Sequence, residues 1–184
     1  MLNRQSAYKL LLKYTRNPSL IRHALAVEAC MIAYAENYKE DREKWGIIGL
    51  LHDFDYEKYP NPPDHPDKGT LILRQLGYPE DIIYAIRSHA SWTKCPRLSL
   101  VDKVLFACDE LSGFITAVSL VRPDRKIKGL EVRSVRKKLK VKAFARSVRR
   151  EYILIGAVEL DICVTDPISF CITALQRIST QLDL

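Results

Sequence analysis

Apolar side chains in this chain recur at alternating three- and four-residue steps, and almost nowhere at the two-residue step of a half-buried strand. Leu20, Ala24, Val27, Met31 and Tyr34 form one such stripe. The Asn17-Pro18 pair before it is a helix start, a capping side chain followed by proline at the first helical position. Trp45, Ile48, Gly49 and His52 keep the same register from about Arg42 to Asp53. The stretch YPNPPDHP, with four prolines between Pro60 and Pro66, then reads as a loop. Lys68 to Leu76 reads as a helix that stops at Gly77, and Pro79 opens another, with Ile82, Ile83, Ile86 and His89 on one face. A long helix is expected from about Ser99 to Leu120, with Val101, Val104, Leu105, Cys108, Leu111 and Ile115 facing inward. Past Pro123 the pattern gives one or two short helices and loops. Tyr152 to Cys163 fits strand or helix, and Ile168 to Leu182 a closing helix. The expected fold class is all-α.

A chain of 184 residues is long enough for one domain with a core and short for two. The expected division is a helical core over 1–120, with the basic segment and closing helices of 121–184 packed on the same domain. No stretch approaches the roughly 18 apolar residues of a membrane span. The opening run MLNRQSAYKLLLKYTR is too short and too interrupted by Lys and Arg for a signal peptide. Five cysteines, Cys30, Cys95, Cys108, Cys163 and Cys171, form an odd set with no CxxC pair, which points to reduced, buried thiols and a cytoplasmic location. The net charge of +7 is unevenly spread. Between Arg122 and Arg150, 13 Lys or Arg stand against two acids, Asp124 and Glu131, while the remaining chain carries 16 basic and 20 acidic residues. One basic segment on a near-neutral body points to a phosphate-bearing partner.

The chain has four histidines, His23, His52, His65 and His89. His52 and Asp53 are adjacent at the end of an apolar helix, in GLLHDFD. Neighbouring helix residues point about 100° apart, so both reach one metal ion only at the helix edge, with further ligands from other helices. His23, on the preceding helix, and Asp109, in KVLFACDELSGF, are the natural partners. Asp109 stands on the margin of an apolar face, where an ionised carboxylate is costly unless a cation or strong donors satisfy it. Two imidazoles and two carboxylates with open positions suit a divalent transition metal (Fe, Mn, Co, Ni or Zn) better than calcium. A lone histidine or a lone His-Asp pair carries little weight, since either more often simply packs. The joint pattern on several helices carries the reading.

That pattern resembles the HD-domain superfamily of metal-dependent phosphohydrolases, whose signature is a His, then His-Asp, then a distant Asp. Here these are RHALAVEA (His23), GLLHDFDYE (His52 and Asp53) and FACDEL (Asp109). HPDKGTLILRQLGYPEDIIYAIRSH is similar to the stretch by which two-metal members hold a second ion. The resemblance implies His65 and His89 as ligands of that ion, with Asp53 bridging. Members with two metals often carry paired histidines at the last position, where this chain has His89-Ala90. The tail LVRPDRKIKGLEVRSVRKKLKVKAFA resembles that of a poorly characterised bacterial and archaeal subgroup of the superfamily.

The chemistry implied is hydrolysis of a phosphate ester by water activated at one or two divalent metals, with Asp53 orienting the water and taking its proton. The chain has no Gly-rich phosphate cradle, Walker lysine or GxSxG elbow. Arg22 and Lys94 are expected at the mouth, and the resemblance adds Arg122 and the SVRKK stretch (Arg136, Lys137, Lys138) as phosphate-binding candidates. Glu57 is a candidate partner for a ligand histidine, Asp55 reads as a surface acid, and Trp92 and Tyr56 either stack a base or only pack. The expected partner is a small phosphorylated substrate of nucleotide type. Two other readings stand beside it, a nucleic-acid-binding module using residues 122–150 and a regulatory HD domain without turnover.

Overall fold

The computed structural model describes residues 3–184, which form nine α-helices and one short 3-10 turn, with no strand among the described residues. The all-α expectation is met. Helix α1 (Arg4–Tyr14) begins with a reciprocal cap, in which Asn3 accepts from the Ser6 backbone and Ser6 from the Asn3 backbone. Its Ala7, Leu10 and Leu11 are buried. Helix α2 (Pro18–Tyr38) starts as expected, with the Asn17 side chain accepting from Ser19 N–H and Pro18 leading. Helix α3 (Arg42–Leu51) is capped by Asp41 and ends with His52, whose backbone is still helical, so Asp53 lies just beyond in a turn.

The proline-rich stretch is only partly loop. Helix α4 (Asp64–Gln75) begins inside it: His65 is extended (φ −85°, ψ 133°), and regular helix runs from Pro66 onward. Proline lacks the N–H that a first helical turn does not need, so Pro66 starts the helix as Pro18 does. Helix α5 (Glu80–Ser88) ends at His89, and the 3-10 turn Ser91–Thr93 carries Trp92. Helix α6 (Leu100–Leu120) is the central element, with Ser99 and Asp102 capping its start reciprocally. Helix α7 (Val132–Leu139) is the one helix of the basic stretch, α8 (Arg150–Glu159) resolves the strand-or-helix ambiguity in favour of helix, and α9 (Thr165–Arg177) closes the chain.

Helices α2, α3, α5 and α6 surround one continuous apolar core that includes Val27, Met31, Ile48, Leu51, Ile83, Ile86, Leu105, Leu111 and Phe114. Helices α8 and α9 pack on α6, α9 also reaches α2, and α7 rests between α6 and α9. The α6–α8 contact is close because α8 presents Gly156, where a Cβ would come within 2.7 Å of the Ala107 backbone. No helix of the described residues is long and apolar enough to cross a membrane.

Candidate metal centre

Four helix ends and the middle of α6 converge on one point. His52 and Asp53 arrive from the end of α3, His23 from the first turns of α2, His65 from the start of α4, His89 from the end of α5, and Asp109 from α6. His52, His65 and His89 are almost wholly buried, whereas His23, Asp53 and Asp109 each keep about a fifth of their side chain in solvent, which leaves the cluster one open side.

Asp53 is the centre of this arrangement. Its Oδ2 lies 3.5 Å from His52 Nε2 and 4.0 Å from His23 Nε2. Its Oδ1 lies 3.1 Å from His65 Nε2 and 3.3 Å from His89 Nε2. Asp109 Oδ1 completes the first side, 3.0 Å from His23 Nε2 and 3.5 Å from His52 Nε2. The donor atoms thus divide into two groups sharing one carboxylate: His23, His52, Asp53 and Asp109, and Asp53, His65 and His89. All six residues picked out in the sequence for metal binding are brought together.

The far side of each buried ring is held by a fixed partner. His52 Nδ1 donates to the Gly49 carbonyl at 2.7 Å, His89 Nδ1 donates to the Ile86 carbonyl, and His65 Nδ1 donates to Asp55 Oδ1 at 2.9 Å. A ring nitrogen facing a carbonyl carries the hydrogen, so Nε2 of the neutral ring is left as a lone pair aimed at carboxylate oxygens. Lone pair against anion is repulsive unless a proton or a metal ion stands between them. His52 Nε2 is fully buried with no hydrogen-bond partner among the described residues, an orphaned atom that a metal ion satisfies. In the protein without metal, protons take that place. Burial alone lowers His52, but the charge of Asp53, the Asp109 carboxylate and the Gly49 carbonyl outweigh it and push it up to about 9. His65 is likewise lowered by burial and raised further, to about 9, by Asp53 and Asp55. Burial raises Asp53 and Asp109, yet the facing histidines hold both well below the usual carboxylate range.

Asp55 is not the surface acid that its sequence position implied. It is fully buried, and its two oxygens accept from His65 Nδ1 and from the Gly69 backbone N–H, both at 2.9 Å. Gly69 is required for this, because a Cβ there would lie 2.7 Å from the Asp55 carboxyl carbon. Glu57 touches no histidine. It accepts from the backbone N–H groups of Arg16 and Asn17 and so ties the turn after α3 to the α1–α2 link. Tyr56 and Trp92 flank His65, with ring centroids 5.3 and 5.9 Å away, and Trp92 Nε1 donates to the His65 carbonyl at 2.8 Å.

The predicted cations lie in several places. Arg22 turns to Asp183 (3.2 Å) and Ser19. Lys94 is exposed at the end of the 3-10 turn. Arg122 holds Asp124 and the carbonyls of Lys128 and Gly129. Arg122, Lys137 and Lys138 line a hollow of about 350 Å³ with Val118, Val121 and Val141, near the far end of α6. Val118 is nine residues, roughly 13 Å of helix, beyond Asp109. Arg136 is exposed on α7.

Two residues at the rim were not anticipated. Glu110, beside Asp109, accepts the Arg149 backbone N–H at the start of α8 (3.2 Å), and burial together with the Asp109 charge pushes it up to about 7. The Arg149 guanidinium lies over Trp92 and Tyr152, 5.4 and 5.2 Å from the ring centres, and donates to the Tyr152 hydroxyl at 2.8 Å. RSVRREY contains three arginines in a basic run. Only the docking of α8 on α6 distinguishes Arg149 from its neighbours.

An all-helical domain with a buried His/Asp cluster split by a shared carboxylate defines a metal-binding helical domain. Residues 20–113 match the family described as the HD domain. The chain belongs to the HD-domain family, whose members are in general metal-dependent hydrolases. No curated protein and no solved structure matches it.

Proposed function

We propose that this protein is a two-metal phosphohydrolase that cleaves a phosphate ester of a nucleotide or similar small phosphorylated molecule. The observation that carries the reading is Asp53, whose two oxygens face two separate sets of donors across one carboxylate. The four imidazoles and two carboxylates suit divalent transition metals such as Fe, Mn, Co, Ni or Zn. Such ions supply Lewis-acid activation of water and of the phosphoryl oxygens. The chain's own residues do the positioning. The carbonyls of Gly49 and Ile86 and the carboxylate of Asp55 fix three rings, so that their Nε2 atoms need no reorganisation on binding. Asp53, central and partly open, would hold both ions and orient the attacking water between them.

Substrate recognition falls to the open rim. Arg149 offers a guanidinium to a phosphate oxygen, and Trp92, Tyr152 and Tyr56 offer aromatic faces to a base. The nucleic-acid reading is weakened because three cations of the basic segment are engaged within the chain: Arg122 with Asp124, Arg133 with Glu131, and Arg150 with backbone carbonyls. The test is metal analysis combined with a screen of phosphatase and phosphodiesterase substrates. Turnover that disappears in Asp53→Ala supports the hydrolase. Bound metal without turnover on any substrate favours the regulatory reading.

A further inference from the structure

A second set of metal-type donors meets at Cys108, the residue before Asp109 on α6. Cys30 on α2, Cys108 on α6 and Cys171 on α9 are far apart in sequence, each is 0% exposed, and their sulfurs all lie within 4.8 Å of one another. None is in a disulfide. Free cysteines are common in cores, where they pack as small hydrophobes. Packing alone does not require that three of them, from three helices, turn their sulfurs to one point.

The side chain beside them supplies an independent sign. Tyr34 is one helical turn beyond Cys30, is 3% exposed, and its hydroxyl is buried without a hydrogen-bond partner among the described residues. Burial first, and then the charges of Cys108, Cys171 and Cys30, hold this phenol well above its usual range. A buried hydroxyl without a partner is costly, so the core is short of an acceptor there.

We propose that Cys30, Cys108 and Cys171 form a binding site for one soft, thiophilic divalent ion of the zinc–cadmium type, separate from the His/Asp centre. Metal–sulfur bonds of about 2.3 Å put the three sulfurs of a trigonal site about 4.0 Å apart, a contraction of under about 1 Å from the spacing seen. On binding, three S–H groups release their protons to solvent and three metal–sulfur bonds form, leaving one net negative charge. The Tyr34 O–H then donates to a thiolate, which both pairs the orphaned hydroxyl and offsets that charge. Soft thiolate donors favour zinc or cadmium over hard, oxygen-seeking ions such as magnesium or manganese. Once bound, the ion pins the closing helix to the residue next to Asp109.

The test is a cadmium titration of the full chain carrying Cys95→Ala and Cys163→Ala, which removes the two cysteines outside the cluster. The readout is the near-ultraviolet sulfur-to-cadmium charge-transfer band, which the sulfur-free His/Asp centre cannot produce, followed until it saturates. The expected result is a band corresponding to one cadmium per chain and a raised unfolding temperature, with the band lost on adding Cys30→Ala or Cys171→Ala. Far-UV circular dichroism confirms that these variants remain folded. Tyr34→Phe keeps the band and weakens binding. Absence of a band in the double variant, or its persistence after Cys171→Ala, overturns the proposal and leaves the trio as core packing.

Discussion

Asp55 shows how much the candidate centre depends on a residue outside the His/Asp cluster itself. Its carboxylate joins the His65 ring to the α4 backbone at Gly69, so one buried acid fixes both the orientation of a ligand and the start of its helix. Groups that orient metal-binding histidines typically account for about 10–100-fold in affinity or activity. Asp55→Ala is therefore expected to lower affinity at the His65/His89 side by about that factor while the His23/His52 side stays loaded. Metal content per chain checks this, and an unchanged stoichiometry under limiting metal contradicts it. The candidate ligands were legible because the joint order His, His-Asp, then a distant Asp is distinctive, with His65 and His89 added by the family resemblance. Asp55 was not, because HDFDYE alternates acids through a turn and nothing in the letters says which of them faces inward.

The histidines also set a pH signature. His52 and His65 rise from an ordinary 6.5 to about 9 in the metal-free fold, so their stabilising contribution is complete below pH 6.5 and is lost as the pH rises through 9. Metal needs the neutral rings, so its affinity moves the opposite way and increases over the same window. The expectation is that the unfolding temperature of stripped protein falls between pH 6.5 and 9, while the extra stability conferred by added metal grows. A stripped protein that gains stability across that window contradicts the assignment of these rings.

At the scale of the element, helix starts were easier to read than helix identity in the tail. Asn17-Pro18 and Ser99 announce α2 and α6 by capping chemistry that depends on one or two residues. Helix α8 announces nothing. Ile153 and Ala157 are buried while Leu154, Ile155 and Val158 are exposed, so apolar residues surround it and leave no one-sided stripe to recognise. Its position depends instead on tertiary partners. Arg150 donates to the carbonyls of Leu139 and Val141 (both 3.1 Å) and to that of Phe144, folding the basic stretch back onto α8. Losing a charged donor from several carbonyls costs about 2–3 kcal/mol. Arg150→Ala should lower unfolding free energy by about that amount in denaturant titration, with metal content unchanged. A stability within about 0.5 kcal/mol of wild type, the usual range for a surface change, would show that the clamp is unimportant.

Across the whole molecule, the HD match ends at residue 113, and residues 114–184 shape the surroundings of the centre. The segment read from charge alone as a phosphate-binding surface divides on folding. Arg122, Lys137 and Lys138 go to a hollow near the end of α6, while Arg149 is carried by α8 to Trp92 at the rim. Net charge marked the segment but could not say which cation comes to lie over Trp92, because that depends on how α8 docks through Gly156. Arg149→Ala is expected to raise KM for a phosphate ester by about 10-fold or more, as loss of a charged hydrogen bond implies, with bound metal unaltered. Equal kinetics in the variant would remove Arg149 from the substrate site.

The most direct test of the central claim is metal content measured on wild type and His52→Ala, side by side with hydrolysis of phosphate esters. The predicted result is up to two transition-metal ions per wild-type chain and measurable ester hydrolysis, both lost or sharply reduced in the variant. Wild-type protein that takes up no transition metal under anaerobic, metal-supplemented conditions would contradict it.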